Sequence, residues 1–233
     1  MTRIGNRVLV VASVCALACG LVLAASDVTN TKHNLSSTAG AGQITDKSTN
    51  EDQVCVFCHT PHQANPAAPL WNHTRSAVAS YGVYTSPTMN GVPADIGGGT
   101  DTSNLCMSCH DGTIGVNNLV NPPNDINANP TMGSGHELDA TGKIIASRPT
   151  NMGNDLRNDH PVNFTYDAAL AAADGSLVTP SSTAYVDAGH TVPLFGGKLQ
   201  CGSCHNAHDN TNVPFLTKGN HASALCKTCH IKW

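Results

Sequence analysis

Four pairs of cysteines share one spacing, and each pair is followed at once by a histidine. They read Cys55-Val56-Phe57-Cys58-His59, Cys106-Met107-Ser108-Cys109-His110, Cys201-Gly202-Ser203-Cys204-His205 and Cys226-Lys227-Thr228-Cys229-His230. C-x-x-C-H is the covalent attachment motif of c-type haem. On one helical turn, residues i, i+3 and i+4 share a face. Two thiols can then reach the two vinyl groups along one porphyrin edge, with the histidine under the iron as proximal ligand. Zinc ribbons and disulfides also use C-x-x-C pairs, but neither needs a histidine directly after the second cysteine. Histidine is 12 of 233 residues, so four hits in four by chance has a probability on the order of 10⁻⁵ or less. The motifs therefore predict four c-type haems held by Cys55, Cys58, Cys106, Cys109, Cys201, Cys204, Cys226 and Cys229. His59, His110, His205 and His230 are the predicted proximal ligands.

Eight histidines lie outside the motifs: His33, His62, His73, His136, His160, His190, His208 and His221. Four bis-histidine irons need four of them, so the count forces no open iron position. Methionine is the other common ligand, and Met89, Met132 and Met152 stay open. His62 and His208 extend the first and third motifs to C-x-x-C-H-x-x-H. A histidine three residues after the proximal one lies on the same side of that porphyrin, so it can serve only a neighbouring haem. His160 precedes Pro161, which keeps it out of the helical region, and Asp159 could orient its ring. His33 stands in a segment with no core of its own. It is the best candidate for a ligand given to an adjacent chain, with folding back onto its own chain as the alternative. His136 is the reserve candidate. His73, His190 and His221 are expected to face solvent or to make secondary contacts.

The elements that must position these groups are thinly specified. Aromatics are 4% of the chain, against 21 glycines and 13 prolines. By composition the chain leans towards disorder, and tethered macrocycles would have to supply the missing apolar mass. The expected fold is mostly irregular coil, with a few short helices and minimal strand, wrapped around four haems. A helix is predicted over 166–173, capped by Thr165 and ended at Asp174-Gly175, and another over 222–230. A short strand is predicted within 194–199. Residues 90–103 and 117–135 read as turns and loops, and Asn163-Phe164-Thr165 matches a glycosylation sequon.

Arg3 and Arg7 precede an apolar run that ends in Val22-Leu23-Ala24-Ala25-Ser26, the pattern of a secretory signal peptide over residues 1–25. Cys15, Cys19 and Gly20 dilute the run as a membrane span, so none is expected to be retained. A lipid-modified Cys19 fits less well, because apolar sequence continues past it. Without Arg3 and Arg7, ten basic residues stand against 16 acidic ones. The resulting charge of −6, with no basic run, argues against nucleic acid as a partner. The extended motif recurs in each half, so residues 26–233 read as one tetrahaem domain. It holds two two-haem units, about 26–115 and 190–233, joined by a long loop-rich segment.

The blocks Cys55-Val56-Phe57-Cys58-His59-Thr60-Pro61-His62, Pro69-Leu70-Trp71-Asn72, Asp155-Leu156-Arg157-Asn158-Asp159-His160-Pro161, Pro193-Leu194-Phe195-Gly196-Gly197 and Ser223-Ala224-Leu225-Cys226 resemble the doubled C-x-x-C-H multihaem family. Within it they are most similar to OmcE-type tetrahaem cytochromes, outer-surface proteins that polymerise into conducting filaments. The resemblance implies bis-histidine haems stacked along a chain, His33, His62, His160 and His208 as the distal set, and one iron that takes a histidine from the adjacent subunit. It implies electron transfer, not enzymatic turnover, by an extracellular or cell-surface protein. Its partners would be copies of itself, other redox proteins and extracellular electron acceptors. A monomeric periplasmic shuttle is the alternative, and a multihaem reductase, which needs an open iron, is a further one.

Overall fold

The structure, a computed structural model, describes residues 27–64, 70–97 and 101–231. The signal peptide expected over residues 1–25, together with Pro69, Gly98 and Gly99, lies outside the described residues. Most of the described chain is coil, turn and bend. Among the described residues, regular structure is limited to short helices α1 (Thr102–His110), α2 (Ala168–Asp174), α3 (Cys201–Cys204) and α4 (Cys226–Cys229), to 3-10 turns at Val28–Asn30, Cys55–Phe57 and His221–Ser223, and to two-residue strands. β1 (Gly82–Val83) pairs in parallel with β2 (Asp155–Leu156), and β3 (Phe164–Thr165) pairs antiparallel with β4 (Lys198–Leu199). Among the described residues, no helix is long and apolar enough to cross a membrane.

The apolar interior is divided into three small clusters. Phe164, Tyr166, Val186, Val192, Leu194 and Leu199 form one. Ala39, Ile44, Val116 and Leu138 form another, and Tyr81, Ile96, Met107 and Leu156 the third. Between them, buried polar side chains bond the loop backbone in place of secondary structure. Asn163 is the clearest case, fully buried and at φ 59°. Its amide nitrogen donates to the carbonyls of Ala94 and Asp95 and to the Asp101 carboxylate. Its oxygen accepts from Gln200 at 2.9 Å and from Lys198 at 3.2 Å. Gln200 in turn accepts a hydrogen bond from the Ser103 hydroxyl, which accepts the Cys201 amide at 3.0 Å. One asparagine thus joins the 94–101 loop, β4 and the starts of α1 and α3. That burial also corrects the sequon reading, since Asn163 offers no accessible amide to a glycan.

Three element boundaries differ from expectation. Helix α2 is capped by Asp167, which accepts the Leu170 amide at 2.8 Å, because Thr165 is already paired with Lys198 in the sheet. It ends as expected at Gly175, at φ 65°. The 194–199 strand is a hairpin: Gly196 and Gly197, at φ 60° and 75°, turn the chain so that only Lys198–Leu199 is strand. Two consecutive positive φ values are what a tight hairpin turn requires, and glycine meets them without strain. The helix expected over 222–230 is interrupted because Ala222 and Ser223 also take positive φ, at 50° and 60°. Only Cys226–Cys229 continues as α4, after a 3-10 turn at His221–Ser223.

Candidate haem-binding sites

Each C-x-x-C-H motif lies on a single turn of helix. The first is a 3-10 turn, Cys55–Phe57, and the others lie on α1, α3 and α4. The amides of His59, His205 and His230 bond back to the carbonyls of Cys55, Cys201 and Cys226 at 2.8–3.0 Å. This helical hydrogen bond puts the histidine and the first cysteine of its motif on one face.

The motifs are neighbours in chain order. Cys58 lies within electrostatic reach of Cys109, the free thiols of Cys106 and Cys201 are within hydrogen-bonding reach of each other, and Cys204 stands near Cys226 and Cys229. α1 and α3 pack against each other, so the second and third motifs meet between the two halves of the chain. Burial pushes the Cys58, Cys109 and Cys229 thiols up to about 12 and Cys204 up to about 11. The hydrogen bond between Cys106 and Cys201 raises the first and lowers the second.

Three motif histidines each face a second histidine. His110 faces His33 at 6.2 Å between ring centres, His59 faces His208 at 6.0 Å, and His230 faces His160 at 6.3 Å. An imidazole nitrogen binds a first-row metal at about 2.0 Å and its ring centre lies roughly 1 Å further out, so two histidines across one ion stand about 6 Å apart. The three gaps have the width that a bis-histidine iron requires. The ring nitrogens are prepared for it as well. Nδ1 of His33, His110, His160 and His205 is bonded to the carbonyls of Ala207, Thr150, Pro161 and Pro214, at 2.8–3.2 Å. A backbone carbonyl at Nδ1 takes the ring proton there and leaves Nε2 as the lone-pair donor. Burial, with the facing His110 next in size, lowers His33 to about 4. Burial and then the facing ring lower His59 and His230 too, which keeps all three neutral and able to ligate at neutral pH.

The structure does not bring every candidate to such a gap. Among the described residues, His205 and the exposed His62 form no such ring pair, although His205 lies within electrostatic reach of His33. His33 is turned inward: it stacks on Phe215 at 4.5 Å and bonds the Ala207 carbonyl. This is the arrangement of the alternative reading, in which it folds back onto its own chain, and not of a ligand given to an adjacent one. The segment folds back onto its own chain through the His33–Ala207 bond and, just after it, through the Ser48 amide donating to the Leu35 carbonyl and the Ser37 amide donating to the Glu51 carbonyl. The reserve candidate His136 has Nδ1 3.2 Å from the Asp46 carboxylate, a contact that fixes the ring and leaves Nε2 as its lone-pair donor.

Of the two roles expected for His73, solvent-facing or secondary contact, the structure shows the second. The ring is buried, with Nδ1 2.6 Å from the Thr74 carbonyl and Nε2 2.9 Å from the Gly115 carbonyl, so both ring nitrogens are taken. His190 stacks on Tyr185 at 4.4 Å. Trp71 was not among the sequence candidates, yet its ring lies 6.1 Å from that of His59. Its indole N–H is buried without a hydrogen-bond partner among the described residues, leaving an unused donor beside the first motif. Its place in the Pro69-Leu70-Trp71-Asn72 block was the available signal.

Residues 193–232, which span the last two motifs, match the family model for the doubled CXXCH motif. The motifs are attachment sites of covalently bound c-type haem. The match supports a multihaem c-type cytochrome. No curated protein matches the chain.

Proposed function

We propose that the chain holds four haems, one on each motif, and transfers electrons along them as the subunit of an extracellular conducting filament. The observation that carries this reading is the set of three facing histidine pairs, His33–His110, His59–His208 and His160–His230, at separations suited to iron. When bound there, haem supplies a one-electron carrier whose iron changes oxidation state without gaining or losing a ligand. The residues keep the sites rigid. Carbonyls at Nδ1 orient the rings, the helical turns present thiol and imidazole together, and two histidines per iron leave no position for a substrate. This last point favours a carrier over a reductase.

The fourth site supports the filament over a monomeric shuttle. Among the described residues, His205 has no ring pairing of the kind the other three motif histidines show, and His62 is an exposed histidine with no motif histidine opposite it. A His62 given to the His205 site of the next copy, with the same exchange repeated behind, is a head-to-tail contact that need not close on itself. This agrees with the resemblance to OmcE-type cytochromes, in which one iron takes its ligand from an adjacent subunit, and with export through the residue 1–25 signal peptide.

The test is His62→Ala, observed by negative-stain microscopy and by intact mass. The variant is expected to keep four haems and to lose filaments, leaving single chains with one high-spin iron. Filaments of normal length from His62→Ala would refute the bridging role. Wild-type material found only as single chains would favour the shuttle.

A further inference from the structure

The segment leading into the first motif carries a side chain that the haem sites do not explain. Glu51 is fully enclosed, with 0% of its surface exposed. One carboxylate oxygen, Oε1, accepts the Gln53 amide at 2.6 Å. The other, Oε2, is buried and accepts no hydrogen bond among the described residues. A carboxylate oxygen shut away from water without a partner is costly, and native proteins seldom leave one so.

The charged company around it has the same sign. One carboxylate oxygen from each of Glu51, Asp52 and Asp125 lies within 4.8 Å of the other two. The ion pairs among the described residues engage other groups. Burial, with Asp125 and Asp52 adding to it, pushes the Glu51 carboxyl up. Oxygens bound to one calcium at about 2.4 Å are at most about 4.8 Å apart, a limit the three carboxylate oxygens respect.

We propose that Glu51, Asp52 and Asp125 form a binding site for calcium. An all-oxygen donor set suits a hard divalent cation and not a thiophilic metal. Calcium tolerates an irregular ligand shell completed by water, which the exposed Asp52 and Asp125 leave room for, whereas magnesium demands near-ideal octahedral geometry. The ion would staple the 117–135 loop, which carries Asp125, to the chain just before Cys55. The two segments already meet there, where Thr49 donates to the Thr131 carbonyl at 2.9 Å and Thr131 donates to Asn50 at 2.7 Å.

The haem-loaded protein, stripped with EDTA and dialysed into metal-free buffer, tests this by calorimetric titration with calcium chloride. Elemental analysis after equilibrium dialysis gives the stoichiometry. About one calcium per chain is expected, with binding weakened on the order of tenfold or more in Glu51→Gln. No saturable calcium binding by the wild type, or unchanged binding in Glu51→Gln, overturns the site. If Glu51→Gln does not accumulate with its haems attached, Asp125→Asn at its exposed position decides the question: weakened binding supports the site and unchanged binding overturns it.

Discussion

The imidazole rings of His59 and His208 face each other nearly in parallel, 14° apart and 6.0 Å from centre to centre. The other two facing pairs are crossed, at 65° for His33–His110 and 76° for His160–His230. Ligand-plane angle controls the splitting of the iron d orbitals. Parallel planes split them widely, and crossed planes leave them nearly degenerate. EPR of the ferric protein should therefore show one ordinary rhombic low-spin component from the His59–His208 site. Strongly anisotropic signals should come from the two crossed sites. Loss of the rhombic component in His208→Ala would assign it, and identical signals from all irons would contradict the geometry.

His33→Ala should act within the chain. Its ring is held by Ala207 and Phe215 opposite His110, so its loss should convert one iron to high spin while assembly persists. Magnetic circular dichroism reads the spin state and microscopy the assembly. Loss of filaments in this variant would return the bridging role to His33.

Asn163 should be among the costliest surface-remote positions to change. Asn163→Ala removes bonds to Ala94, Asp95, Lys198 and Gln200 and puts, at positive φ, a residue that tolerates the left-handed region less well than asparagine does. A loss of about 3 kcal/mol is expected, since buried partners are left unsatisfied. Denaturant titration measures it. Asn163→Gly, which tolerates the conformation, should recover only the backbone share. A near-neutral Asn163→Ala would show that the hub carries little stability.

Asp46 should give the fold an acid-sensitive limb. Burial alone would raise its pKa, but bonds from the Leu138, His136 and Glu137 amides and from the His136 ring outweigh this and lower it. A carboxyl depressed by folding stabilises above its unfolded pKa of about 4, and that contribution is lost as pH falls further. Asp46→Ala should cost about 2–4 kcal/mol at neutral pH and flatten the acid limb of the stability profile. An unchanged limb would assign acid sensitivity elsewhere.

The attachment sites were legible because their chemistry is local: thiol, thiol and imidazole fall within five consecutive residues. The histidine pairing was not. His59 meets His208 and His160 meets His230 through the path of coil, and coil has no periodicity from which a path can be read. The choice between the two readings of His33 was hidden for the same reason, since nothing near it in sequence reveals that Ala207 and Phe215 wait to receive it. Helix α2 was nearly right, because alanines and a terminal glycine carry local propensity. Its start was displaced because pairing with Lys198 claimed Thr165 first. The polar hub at Asn163 looked like a modification sequon because burial of a loop asparagine is decided by distant partners.

The pairing also orders maturation in time. In a chain threaded out amino end first, the His33–His110 pair can close once the second motif has emerged. The first motif to appear holds His59, but its counterpart His208 arrives only near the end of the chain. A haem attached there during such export would spend most of it with one face uncovered. The site begun earliest is finished among the last, so a truncated chain would strand an open iron at its oldest motif, not its newest.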